Sequence, residues 1–160
     1  MSDGPLISLT VCMRDAEQWV DHCLGSLVKQ TYRPLEIIAV DDGSSDGGFT
    51  KLKDWEGNHN GIPVRVLQQP PLGLSAGRNH ALEYSNGEWV AITDIDCRPD
   101  PYWISEMFQV SSGLEEEQVL AVTGRTIFAE GETSTSKLRA RSIARKYTSR
   151  PRLTSLANGP

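Results

Sequence analysis

Asp94 and Asp96 stand two residues apart, so on an extended chain both carboxylates point to one side. Two hard oxygen donors on one face suit Mg2+ or Mn2+, which bind through one or two carboxylates and complete their shell with phosphate oxygens. A polar turn closing a strand is the plainer alternative. Asp42, Ser44, Asp46 and Gly47 fit the opening positions of a calcium-binding EF-hand loop, but its last position falls on Lys53, where a bidentate Glu is required. Calcium is therefore excluded there. A carboxylate at a strand end can instead accept hydrogen bonds from a nucleotide base, with glycines admitting the ligand close to the backbone. A well-capped tight turn explains the same residues equally well. In Gly73-Leu74-Ser75-Ala76-Gly77-Arg78-Asn79, Ser75 as N-cap places Arg78 in a first helical turn, where the macrodipole disfavours a cation unless an anion sits nearby. The competing explanation is a surface ion pair, with Glu83 as partner.

These clusters need elements to hold them. Residues 6–13 and 35–40 are short, apolar and β-branched, and the second is almost continuously apolar, as a parallel strand covered on both faces must be. Trp19, Val20, Cys23, Leu24, Leu27 and Val28 recur on one helical face, and Pro34 ends that helix near Gln30. Ser44 or Ser45 is expected to cap a short helix towards Trp55, followed by a loop at 57–61. Further strands are expected at 64–67, 89–93 and 119–128, and helices at 75–84, from Pro101 onward, and at 138–147. Strands alternating with helices imply a parallel α/β sheet with right-handed crossovers. In such a sheet ligands bind beyond the carboxyl ends of the strands. Arg14-Asp15, Asp41–Gly48 and Asp94–Asp96 each begin where an apolar strand stops, so a parallel sheet brings all three to one edge.

The composition frames the rest. The chain has 160 residues, 38% hydrophobic and 23% charged, enough for one folded domain. No apolar run approaches the roughly 18 residues that span a bilayer, and no signal-peptide pattern opens the sequence. Cys12, Cys23 and Cys97 form no CxxC pair, so reduced thiols and a cytoplasmic location are expected. No G-x-G-x-x-G follows the first strand and no P-loop occurs. The net charge of −5 conceals an acidic body and a tail, residues 137–160, with seven Lys and Arg and no acid. Nucleic acid is a minor prospect for that tail. Its last helix is expected to present a solvated basic back, with peripheral contact to an anionic membrane as the alternative.

The order of motifs resembles a family 2 glycosyltransferase: Arg14-Asp15-Ala16-Glu17 with Trp19-Val20, then Ser26-Leu27, Gln30-Thr31-Tyr32, Leu35-Glu36-Ile37-Ile38 and Val40-Asp41-Asp42-Gly43-Ser44-Ser45-Asp46, then Gly73–Asn79, then Gly87–Asp96. The resemblance covers most of residues 6–110. It implies a GT-A fold with a Rossmann-like, mainly parallel sheet flanked by helices, a nucleoside-diphosphate sugar donor (a UDP-sugar), Mn2+ or Mg2+, and inverting transfer to an acceptor that the sequence does not identify. It also implies a nucleotide-sugar site of Cys12, Arg14, Asp42, Arg78, Asp94 and Ile95, in which Asp42 binds the base and Arg78 faces the nucleotide. Asp94 and Asp96 are implied as the metal ligands.

The family's later acidic motif, which supplies the general base, has no counterpart, because no Asp or Glu follows Glu132. Residues 1–160 are therefore expected to be one C-terminally incomplete domain. A non-catalytic nucleotide-sugar binding module is the alternative. A nucleotidyltransferase on a similar sheet would need a Gly-rich basic loop after the first strand, and Arg14-Asp15-Ala16-Glu17 is not one.

Overall fold

The computed structural model describes residues 4–113 and 121–124. Five strands form one sheet: β1 (Ile7–Met13), β2 (Leu35–Asp41), β3 (Gly57–His59), β4 (Ile62–Gln68) and β5 (Trp89–Asp94), in the order β3-β4-β2-β1-β5. The β1–β2, β2–β4 and β1–β5 pairs are parallel, and only β3 runs antiparallel, against β4. The alternating α/β order of the sequence thus yields the expected parallel sheet. A short 3-10 turn (Glu17–Trp19) leads into α1 (Val20–Leu27), and α2 (Gly48–Lys53), α3 (Leu74–Glu83) and α4 (Trp103–Ser112) come after the later strands.

Residues 57–61, expected as a loop, instead form half of a hairpin. Asn60 and Gly61 both adopt positive φ, +54° and +79°, the geometry that suits an Asn-Gly turn between antiparallel strands.

The central strands are buried on both faces. Leu9, Val11, Ile37 and Ala39 meet Val20, Leu24, Leu27, Leu52 and Ile104 on one side. On the other, Cys12, Ile38 and Val40 meet Ala81 of α3. Burial at roughly 25 cal/mol per Å2 of apolar surface makes these two layers the chief stabilising force. Buried Gln30 completes the α4 side: its Nε2 donates to Asp100 O at 2.7 Å, and its Oε1 accepts from Ile104 N at 3.1 Å.

β5 differs from the expectation of a buried strand. It lies at the sheet's edge among the described residues, and Ile92 is 54% exposed. The expected helix at 138–147 and its basic face lie outside the described residues, as does most of the strand expected at 119–128. Among the described residues no helix is long and apolar enough to cross a membrane.

The register does the positioning. Cys12 pairs with Val40 on one side and Asp94 on the other, and Met13 pairs with Asp41. Three strands therefore finish level, and the loops leaving β1, β2 and β5 all emerge at one rim.

Candidate functional site

At that rim a cleft of about 390 Å3 is lined by Cys12, Met13, Arg14, Asp42, Gly73, Leu74, Asp94, Ile95 and Asp96. Six of these were expected from the sequence. Arg78, the seventh expected residue, reaches the cleft through Asp94. Met13 belongs to the stretch from Cys12 to Asp15 that the family resemblance places at the nucleoside pocket, whereas Gly73 and Leu74 were not anticipated as lining residues.

The first wall is two loops fastened to each other. Asp15 takes φ +48°, which turns its backbone N–H to Ser44 Oγ at 2.9 Å. Its Oδ1 accepts from the Ser45 backbone N–H at 2.7 Å and from the Ser45 hydroxyl at 3.0 Å. These bonds hold the Asp15 carboxyl below the usual range. Asp46 extends the fastening by accepting from Glu17 N with Oδ2 and from Gly48 N with Oδ1. Ser44 and Ser45 are therefore not the caps of α2. Gly47 is the N-cap, without a side-chain bond, and the serines fasten β1's loop to β2's.

Asp42 is buried, and Asp41 is turned to the other side, where its Oδ2 accepts from Ser44 N and Gln68 Nε2. The Asp42 Oδ1 accepts from Gln69 Nε2 at 2.7 Å and Leu72 N at 2.9 Å, and Oδ2 accepts from Gly73 N at 2.9 Å. Burial pushes its carboxyl up, but these three donors, with Arg14 nearby, outweigh it and hold the group below the ordinary carboxylate range.

The neighbouring glycines were expected to admit a ligand, yet the close approaches are protein. A Cβ on Gly43, at φ +70°, would lie 2.7 Å from Pro71 Cδ, and one on Gly47 would lie 2.9 Å from the Glu17 carboxylate. Gln69 also accepts from His80 Nδ1 at 3.1 Å. Because its amide NH2 is spent on Asp42, the Gln69 oxygen faces His80, and Nδ1 carries the proton.

α3 starts earlier than expected. Gly73 is its N-cap at φ +95°, not Ser75, so Arg78 stands one turn inside the helix. Gly77 lets α3 lie close to β1, since a Cβ there would be 3.4 Å from Cys12 Sγ. Cys12 is the β1 partner of Asp94, so this contact carries Arg78 to Asp94, with Nη2 2.9 Å from Oδ1. The ion pair is real, but its partner is Asp94 rather than Glu83. Cys12 itself is a buried neutral thiol, pushed up to about 11 by burial, which the nearby Arg78 only partly offsets. It floors the cleft and is no nucleophile at neutral pH.

Asp94 ends β5, while Ile95 and Asp96 already lie in a turn closed by Cys97 N donating to Asp94 O at 3.0 Å. Asp94 therefore meets the cleft from the end of the strand and Asp96 from the turn, not both from one extended chain. Ile95 packs against the larger core and anchors that turn. Both acids are exposed; Asp94 keeps Oδ2 free of Arg78, and among the described residues Asp96 Oδ1 has only a thiol contact from Cys97 at 3.7 Å. Among the described residues no group of three or more His, Cys, Asp or Glu could enclose a metal. This donor set fits a hard divalent cation that takes its remaining oxygens from a bound phosphate.

Comparison with known proteins bears on what such a cleft serves. Residues 8–158 match the family described as Glycosyl transferase family 2. The putative glycosyltransferase EpsH of Bacillus subtilis (strain 168) is 32% identical over 150 residues, 94% of this chain and 41% of that protein. The uncharacterized glycosyltransferase EpsJ of the same organism is 27% identical over 150 residues, 94% of this chain and 42% of that protein. The chain thus spans about two fifths of the length of these relatives.

Among solved structures, the mannosyltransferase PcManGT from Pyrobaculum calidifontis, in complex with GDP-Man and Mn2+, superposes with a TM-score of 0.55 at 26% identity, covering 61% of this chain and 29% of that one. TarS 1-349 of S. aureus, in complex with UDP-GlcNAc, gives 0.55 at 24% identity, covering 78% and 37%. The sheet is that of the GT-A fold, and the chain belongs to glycosyl transferase family 2.

Proposed function

We propose that this chain binds the nucleoside-diphosphate sugar donor of a divalent-cation-dependent, inverting glycosyltransferase. One observation carries the reading: Arg14, Asp42, Asp94 and Asp96, from three separate strand ends, line a single cleft. A diphosphate needs both a cation and a positive side chain, and a base needs a fixed acceptor.

Asp42 is fixed by its three donors and retains acceptor capacity on Oδ2 for a base N–H. Arg14 adds positive charge beside it. Asp94 and Asp96 are the residues that would hold Mn2+ or Mg2+ against the diphosphate oxygens. A cation so bound supplies Lewis-acid stabilisation of the departing nucleoside diphosphate. PcManGT, the 26% identical neighbour, is in complex with GDP-Man and Mn2+, which supports this pairing of ligand and metal. Inverting transfer also needs a proton acceptor within reach of the acceptor hydroxyl, and no residue of this cleft is assigned that task.

The reading is tested by calorimetric titration of UDP and of GDP with and without Mn2+. Binding of one of them that strengthens at least about tenfold with Mn2+, and loses that gain in Asp96→Ala, is expected. Absence of metal-dependent binding to either would sink it.

A further inference from the structure

Arg78 and Asp94 already hold each other where Asp94 meets the cleft, and the manner of the contact has consequences. The Nη2–Oδ1 distance is 2.9 Å, with the side chains 38% and 59% exposed. An ion pair this open is weak, worth no more than about 1 kcal/mol, or roughly fivefold in an equilibrium. A contact so weak is readily exchanged. The guanidinium fork matches a phosphate as well as it matches a carboxylate, and its helix is held against β1 by the close approach of Gly77 to Cys12.

We propose that Arg78 is a positioning residue acting as an exchangeable counter-ion. It neutralises Asp94 while the cleft is empty, and it transfers to the diphosphate when donor and cation arrive together. Without Arg78, Asp94 and Asp96 are two acids of which the second meets, among the described residues, a thiol, a pair that would otherwise bind a divalent cation without any nucleotide. Arg78 opposes that, so that metal and nucleotide enter as one unit. This rests on the donor-binding reading and adds an order of events to it.

The test titrates Mn2+ alone, and then UDP and GDP in saturating Mn2+, into the unaltered chain, Arg78→Gln, Arg78→Lys and Arg65→Gln. Arg78→Gln should bind Mn2+ alone about three- to fivefold more tightly, yet bind the nucleotide about tenfold more weakly. Arg78→Lys, which keeps the charge, should restore most of the weak Mn2+ binding. Arg65→Gln removes an exposed cation of β4 that lies over the Tyr84 ring and outside the cleft lining, and should move the Mn2+-only affinity by less than twofold. Thermal melting points within about 2 °C of the unaltered chain establish that the variants are folded. Normal nucleotide binding by the unaltered chain, with Mn2+-only affinity unmoved or lowered in Arg78→Gln, overturns the exchange alone. Equal tightening in Arg65→Gln and Arg78→Gln overturns it too, by reducing it to a general charge effect. No nucleotide binding by the unaltered chain overturns the donor reading and the exchange with it.

Discussion

Asp42 and the Asp94–Asp96 pair line the same cleft under opposite conditions. Asp42 is 3% exposed and receives three hydrogen bonds from residues 69–73, so its position is settled before any ligand arrives. Asp94 and Asp96 are exposed, and their one ion pair is open to solvent. Under the donor-binding reading proposed above, the difference matches what each end would recognise. A base presents a fixed edge, which rewards a preorganised acceptor. A cation and a diphosphate bring their own charge, which rewards carboxylates with unspent oxygens.

The contrast can be broken most directly at Asp42. Asp42→Ala leaves the Gln69 amide and the Leu72 and Gly73 N–H groups without their acceptor, and urea unfolding should show a loss of about 3 kcal/mol. Asp96→Ala should stay within about 0.5 kcal/mol by the same measurement. Equal losses would erase the distinction.

Gly43→Ala comes next, because its φ of +70° and the approach of Pro71 both oppose a Cβ. A cost of about 2 kcal/mol is expected in the same unfolding experiment. Acid unfolding sharpens the comparison further. The Asp42 carboxyl is held below its ordinary value in the folded chain. Its contribution is therefore complete above the unfolded value of about 3.9 and is lost as pH falls through the folded one. Stability measured from pH 5 down to pH 3 should fall more steeply in the unaltered chain than in Asp42→Asn. The smallest effect belongs to Gly77→Ala. The added methyl would rest at 3.4 Å from Cys12 Sγ, and the melting point should move by no more than about 3 °C, the better helix propensity offsetting the tighter contact.

Much of this was legible in the chain. The continuous apolarity of residues 35–40 announced a two-faced parallel strand, and parallel strands obliged the acidic clusters to share an edge. What sequence could not show were partners far along the chain. The donors to Asp42 come from about thirty residues away, and Arg78 chose Asp94 because α3 packs on Cys12, not because of helical spacing to Glu83. Ser44 and Ser45 looked like caps since serine is a good local acceptor, but the loop after β1 offered them Asp15 instead. One signal was present and was passed over: Asn60-Gly61 marks a hairpin by itself.

The fastening of the loop after β1 to the loop after β2 makes residues 14–17 and 42–48 a single exchangeable cassette. Moving either stretch alone into another scaffold would strand the N–H groups of Asp15, Ser45 and Glu17, whose acceptors lie in the other stretch. Any graft of this wall must carry both pieces together, because it is inherited as a pair.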